Sequence, residues 1–271
     1  YGRVSQDIMR LQPPILGVAG DQQASLFGHC CFEEGQAKAT YGTGCFILMN
    51  TGAHAVPSKN GLVTTVAAST KGELRYALEG SVFNAGSTVQ WLRDELGLIK
   101  DASETEELAL SVPDTAGTYL VPAFTGLGAP WWDAEARGLI CGLTRGCTRA
   151  HLARAALESI AYQAYDVLEA MRNDFPCEIE ELAVDGGGSQ NRFTMGWQAG
   201  LLQRPVVRPK TAEVTALGAA YLAGLNAGYW KDLDSLRANA VQATRFKPEL
   251  AAELRQQSLD GWYRALNRAR S

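Results

Sequence analysis

The sequence predicts an α/β fold, a mixed sheet with helices packed against its faces. Its first half pairs short apolar runs across glycine-containing turns, the signature of hairpins. Its second half alternates helix-period and strand-like segments, and strands followed by such an alternation place helices on a mixed sheet. The composition agrees. With 271 residues, 46% hydrophobic and 20% charged, the chain can bury a sizeable core in one or two domains.

Taken in order, Ile15–Ala19 is a short apolar run closed by Gly20, expected as a strand. Ala37–Tyr41 and Cys45–Asn50 flank Gly42-Thr43-Gly44 and form a first hairpin, and Leu62–Ala67 and Leu74–Leu78 flank Lys71-Gly72 and form a second. Asn84–Leu96 reads as a helix with Val89, Leu92 and Leu96 on one face. The polar stretch Lys100–Glu107 turns into another helix. Tyr119–Ala123 and Gly138–Leu143 are strand-like, and the Gly-, Pro- and Trp-containing stretch Phe124–Arg137 between them is a loop. Thr148 is a suitable N-cap for a long helix whose apolar stripe runs from Leu152 to Met171 and which Pro176 closes. Leu182–Val184 is then a strand, Gly186–Gly188 a turn, Ser189–Leu202 a helix, Pro205–Arg208 a strand and Val214–Ala227 a small-residue helix. Leu250–Leu266 closes the chain as an amphipathic helix.

Charge and cysteine usage exclude several classes. The net charge of −4 carries no basic excess, so nothing marks a general nucleic-acid binder. No apolar run reaches the ~20 residues of a membrane span. The six cysteines are too sparse for a disulfide scaffold and contain no C-x-x-C pair, and the three histidines have no metal-ligand spacing. Free thiols in a reducing cytoplasm, with no metal site, are the expectation. The chain starts at Tyr1 without a leader-like segment and is expected to be a piece of something longer.

Three motifs carry chemistry. Gly20-Asp21-Gln22-Gln23 sets a carboxylate directly after an apolar run, where open α/β sheets place ligands; Asp21 could accept a substrate proton, or simply cap the helix that follows. Gly42-Thr43-Gly44 lets backbone approach a phosphate, with the Thr43 hydroxyl as a further ligand, or is a plain turn. Asp185 to Asn191 runs from a strand through three glycines into a helix, a geometry suited to an anion or nucleotide, although it is neither the dinucleotide fingerprint nor a P-loop. Trp131 and Trp132 either stack on a ligand or seal an interface, and Ala216–Gly224 is suited to close helix packing or to a flat ligand lying against it.

Together these strings resemble the FGGY carbohydrate kinases, in their glycerol-phosphorylating branch. The resemblance runs through Gly17–Gln23, Tyr41–Gly52, Leu78–Phe83, Phe124–Pro130, Asp185–Gly187 and Thr215–Ala220, and Gly138–Glu158 is similar to a second family signature. It implies the actin-like ATPase (ribonuclease H-like) fold, with residues 1–271 as the C-terminal domain, 1–14 a linker and 248–271 the terminal helix. Members have two lobes with substrate and nucleotide between them. The first lobe, with its Asp-x-Gly-Thr phosphate loop, is not in this chain, which has no such string. The implied reaction is transfer of the ATP γ-phosphoryl group to glycerol with Mg²⁺, giving glycerol 3-phosphate. Another polyol or ketose as acceptor, or a non-catalytic nucleotide-binding module, are the alternatives.

By the same resemblance, Asp21 matches the catalytic base and Gln22 a glycerol-binding residue. Phe46 matches the aromatic that packs on the glycerol carbons. Thr43 matches the second phosphate loop, Gly86 and Gln90 nucleotide contacts, and Gly187 and Asn191 contacts to the adenosine part. Ser189-Gln190, Val66-Ala67-Ala68 and Trp131-Trp132 depart from the usual pattern without removing a matched polar group. A cleft face left open by the missing lobe would allow self-association.

Overall fold

The structure is a computed structural model that describes residues 1–70, 72–211, 213–239 and 243–271. Its main sheet has the strand order β3-β4-β2-β1-β7-β8-β9, from β3 (Val63–Ala67), β4 (Arg75–Val82), β2 (Cys45–Gly52) and β1 (Ala37–Tyr41) to β7 (Leu182–Asp185), β8 (Val206–Pro209) and β9 (Ala243–Phe246). β1 pairs in parallel with β7, and β7 with β8; the other pairings are antiparallel, so the sheet is mixed as expected. β5 (Tyr119–Val121) and β6 (Leu139–Cys141) form a separate antiparallel pair.

Strand periodicity divides the sheet into two unlike faces. Ala37, Ala39, Tyr41, Ile47, Met49, Leu78, Leu182 and Val184 share one face, and register places them opposite one another. They pack under α4 (Arg149–Asp174), whose Leu157, Ala161, Ala164, Val167, Leu168 and Met171 belong to the same core. Thr148 starts α4 as expected, its backbone N–H donating to His151 Nδ1 at 3.1 Å. The other face carries Lys38, Thr40, Phe46, Leu48, Glu79 and Asp185. α1 (Asp21–Gly28) lies over it, with Leu26 packed against Leu48, Ala67 and Ala77. α1 is held from behind by α6 (Val214–Asn226), and the approach demands glycine: a Cβ on Gly218 would lie 1.8 Å from the Ala24 carbonyl oxygen. Close packing is therefore what the small-residue helix does.

Several expectations change. Ile15–Ala19 forms no strand; it runs extended beside α6, with the Leu16 carbonyl accepting Asn226 Nδ2 and Gly17 against Ala219, Leu222 and Ala223. The helix read over Asn84–Leu96 is α2 (Gly86–Asp94), and Leu96 is exposed beyond its end, where Gly97 takes a positive φ. The polar stretch after Lys100 leads into α3 (Glu104–Leu110). The helix read from Ser189 is a single 3₁₀ turn, Gly187–Gln190, followed by α5 (Arg192–Leu202). The terminal helix is α8 (Ala252–Ala269). α7 (Leu233–Asn239) and β9 were not legible, because β9 is a four-residue edge strand and α7 a seven-residue helix. Lys71 of the second hairpin turn lies outside the described residues.

Candidate active site

The carboxyl ends of the parallel strands β1 and β7 point to the same edge of the sheet, and two groups of polar residues meet there. The first lines a cavity of about 600 Å³ bounded by the β1–β2 tip, α2, α3, α4 and the start of α5. Thr43, Gly86, Gln90, Gly187 and Asn191 all line it. The tip is tied to α2: the Gly42 carbonyl accepts the Gly86 N–H at 3.0 Å, and the Thr43 carbonyl accepts the N–H groups of Ala85 and Ser87, each at 3.0 Å.

On the opposite wall Gly186 turns the chain out of β7 at φ +81, where a Cβ would lie 2.5 Å from the Tyr41 carbonyl oxygen. The helix expected directly after the glycines begins only at Arg192. Asn191 is the N-cap of α5: its Oδ1 accepts the Thr194 N–H at 2.9 Å, and its Nδ2 donates to Thr105 Oγ1 at 3.3 Å. The Arg192 N–H donates to Glu106 Oε2. Two amides of the first turn of α5, those of Arg192 and Thr194, are thus paired with α3 and with the helix's own cap, on the cavity's wall. Arg154 adds to it from α4. It pairs with Glu158 at 2.8 Å, donates to the Val112 carbonyl just beyond α3, and stacks over Phe193 and Trp197 of α5. Burial pushes the Glu158 carboxyl upward against the pull of Arg154.

Asp21, Gln22 and Phe46 do not line that cavity; they gather on the α1 face beside it. Asp21 is the exposed first residue of α1, with its Oδ1 accepting the Gln22 N–H at 2.8 Å and its Oδ2 3.5 Å from Gln22 Nε2. Phe46 is exposed by 38% and lies three residues from Thr43, so one hairpin carries a residue of each group. Behind them is a buried polar layer that sequence reasoning missed. Lys38 is fully buried and donates to Gln22 Oε1, to Thr40 Oγ1 at 2.9 Å and to the Phe46 carbonyl at 3.4 Å. Burial draws its pKa down to about 8. Asp185 Oδ2 accepts Ser25 Oγ at 2.9 Å and lies 3.3 Å from His29 Nε2. Burial acts to raise Asp185, but its contacts with His29, Thr40 and Lys38 hold it below the usual carboxylate value. Burial also raises Glu79, the neighbour of Lys38 and Asp21 on β4, with Asp21 adding to the rise.

Trp131 packs against the core with Arg270 over its ring, whereas Trp132 is exposed by 51% and bonds the Gly61 carbonyl. Among the described residues no group of three or more His, Cys, Asp or Glu side chains could hold a metal ion. No helix among them is long and apolar enough to cross a membrane.

This architecture belongs to a known class. The chain matches the C-terminal domain of the FGGY family of carbohydrate kinases over residues 37–227, and it belongs to that family. Its fold is that of the actin-like ATPases. It is 55% identical over 269 residues to glycerol kinase 1 of Clostridium tetani, covering 99% of this chain and 54% of that protein. Against the glycerol kinase of Azotobacter vinelandii it is 59% identical over 256 residues, covering 94% of this chain and 51% of that one. The crystal structure of Plasmodium falciparum glycerol kinase with ADP superposes with a TM-score of 0.87 at 38% identity, over 92% of this chain and 50% of that one. The chain thus spans about half the length of the curated relatives it matches.

Proposed function

We propose that this chain is the C-terminal lobe of a kinase that transfers the γ-phosphoryl group of ATP to glycerol, giving glycerol 3-phosphate and ADP. One observation carries the reading: the β1–β2 hairpin lines a nucleotide-sized cavity with its Gly42 and Thr43 tip, and its Lys38 bonds Gln22, next to Asp21, and the Phe46 carbonyl. The cavity would take ATP, with Gly86, Gln90, Gly187 and Asn191 on the nucleotide and Thr43 on its phosphates. Glycerol would lie against Phe46 and Gln22, with one hydroxyl at Asp21. That carboxylate takes the hydroxyl proton as the oxygen bonds to the γ-phosphorus. The bond to the β–γ bridging oxygen breaks, and the electron pair leaves with ADP. Mg²⁺ bound with the nucleotide's phosphates would neutralise their charge; among the described residues no group of three or more His, Cys, Asp or Glu side chains would hold it.

The full activity needs the other lobe, as the relatives' length suggests. Residues 1–271 form the C-terminal domain, and residues 1–14 link it to that lobe. The lobe would supply the remaining phosphate loop and cover the α1 face, where Phe46 and Val63 are exposed. Without it, the chain would self-associate through that face, which sedimentation tests. The six unpaired cysteines support a cytoplasmic location.

A panel of ATP-dependent phosphorylation assays on the whole protein, with glycerol, other polyols and ketoses, tests the proposal. Glycerol should be preferred by kcat/KM. Preference for a ketose or another polyol would replace the substrate, and turnover of none would favour a non-catalytic nucleotide-binding module.

A further inference from the structure

Lys38 is a costly residue for its position. A lysine side chain at 0% exposure on β1 gives up its hydration, and the three acceptors around its Nζ are all neutral: Gln22 Oε1, Thr40 Oγ1 and the Phe46 carbonyl. The ionisable groups near it are Asp185 on β7, Glu79 on β4, Cys45 on β2 and Cys31 beyond α1. A methionine would fill the same space without that cost. What the ammonium supplies is direction.

A glutamine amide carries an acceptor at one end and two donors at the other, and rotation exchanges them. Lys38 is a donor only. With its Nζ against Oε1, the reversed amide would set NH₂ against NH₃⁺. The Gln22 Nε2 is therefore the end left over, and it points toward Asp21 Oδ2, 3.5 Å away. The third bond from Nζ, to the Phe46 carbonyl, ties the strand carrying the aromatic to the same point.

We propose that Lys38 is a positioning residue that locks the Gln22 amide, so that position 22 acts on the substrate only as a hydrogen-bond donor beside Asp21. This rests on the proposed function. A substrate hydroxyl oxygen that accepts from Gln22 keeps its own proton free to face the Asp21 carboxylate. The lock thus favours a polyol whose hydroxyls meet Gln22 with a lone pair and Asp21 with a proton.

The test is steady-state kinetics on the whole protein with glycerol and ATP. Lys38→Met is expected to raise the glycerol KM roughly tenfold and leave the ATP KM within about twofold. Lys38→Gln, which fills the space but offers an acceptor as well as donors and so cannot fix the direction, should restore only part of the loss. In a Gln22→Ala background Lys38→Met should add nothing further. An unchanged glycerol KM, an equal rise in the ATP KM, or full additivity with Gln22→Ala would overturn the proposal. If Lys38→Met does not fold, Gln22→Glu decides: it keeps an acceptor for Lys38 and exchanges the donor for a negative charge that the ammonium neutralises. Its glycerol KM should rise as far as that of Gln22→Ala, and a wild-type value would overturn the lock. If the wild type phosphorylates a different polyol, the proposed substrate fails, and the same ratios measured on that polyol decide the role of Lys38.

Discussion

Asn191 shows how one side chain serves both structure and site. Its Oδ1 caps α5 through Thr194, and its Nδ2 bonds Thr105 on the far wall of the cavity. Asn191→Ala is expected to cost about 1 kcal/mol of stability through the lost cap. It should also weaken Mg-ADP binding about tenfold, because the cavity's two walls lose their link and the nucleotide a polar contact. Calorimetric titration of the whole protein, together with denaturant unfolding, separates the two effects; a lost cap with intact affinity would remove Asn191 from the nucleotide site. Asn191 was singled out because it ends the glycine run after β7 and matches a family position, while its part as the cap of α5 was not foreseen. Lys38 and His29 were not legible in the sequence. A lysine in the run Ala37-Lys38-Ala39-Thr40 reads as a solvated charge until β1 is known to be covered by α1, and His29 gains meaning only beside Asp185, which is far away in sequence.

Among the elements, α1 matters most, since its first residue is Asp21 and its body roofs the polar layer. Its placement depends on α6 approaching at the glycine level. Gly218→Val would put side-chain atoms into the Ala24 carbonyl. It is expected to destabilise the fold by about 2 kcal/mol or more and to lower kcat through displacement of Asp21. Thermal unfolding and turnover should fall together, and full activity with an unchanged melting temperature would show that α1 does not need this packing. The same pair shows why the segment before Asp21 was misread. Ile15–Ala19 has a strand's apolar run, but its backbone bonds the Gly2 carbonyl and the Asn226 side chain of α6 rather than a strand of the sheet, a tertiary choice that no local pattern carries. The hairpins and α4 were legible because turn glycines and a long apolar stripe are local signals. The start of α5 was misjudged by three residues, because Ser189 bonds back to the Gly186 carbonyl and holds a 3₁₀ turn where a helix was expected.

At the scale of the whole molecule, the sheet has a dry face and a polar one, and both store titratable groups. On the dry side Asp166 of α4 is buried, with Oδ2 accepting Trp262 Nε1 at 2.9 Å. Burial raises its carboxyl from 3.8 to about 7. The folded chain therefore keeps a proton that the unfolded chain releases, and this group's contribution to stability falls as pH rises from 3.8 to about 7. Asp166→Asn should flatten that part of the stability profile, with its cost larger near pH 5 than near pH 8. Denaturant melts across this range check it, and an unchanged slope would mean that Asp166 is ionised in the fold. On the polar side, the cavity, the tip and the Asp21 group share one edge of the sheet, and the account stands on the chemistry proposed there. The most direct test is turnover of glycerol by the whole protein carrying Asp21→Asn, with glycerol binding measured alongside. If Asp21 is the base, turnover should fall by about 10² to 10⁴ while glycerol still binds; near-normal turnover would contradict the account at its centre.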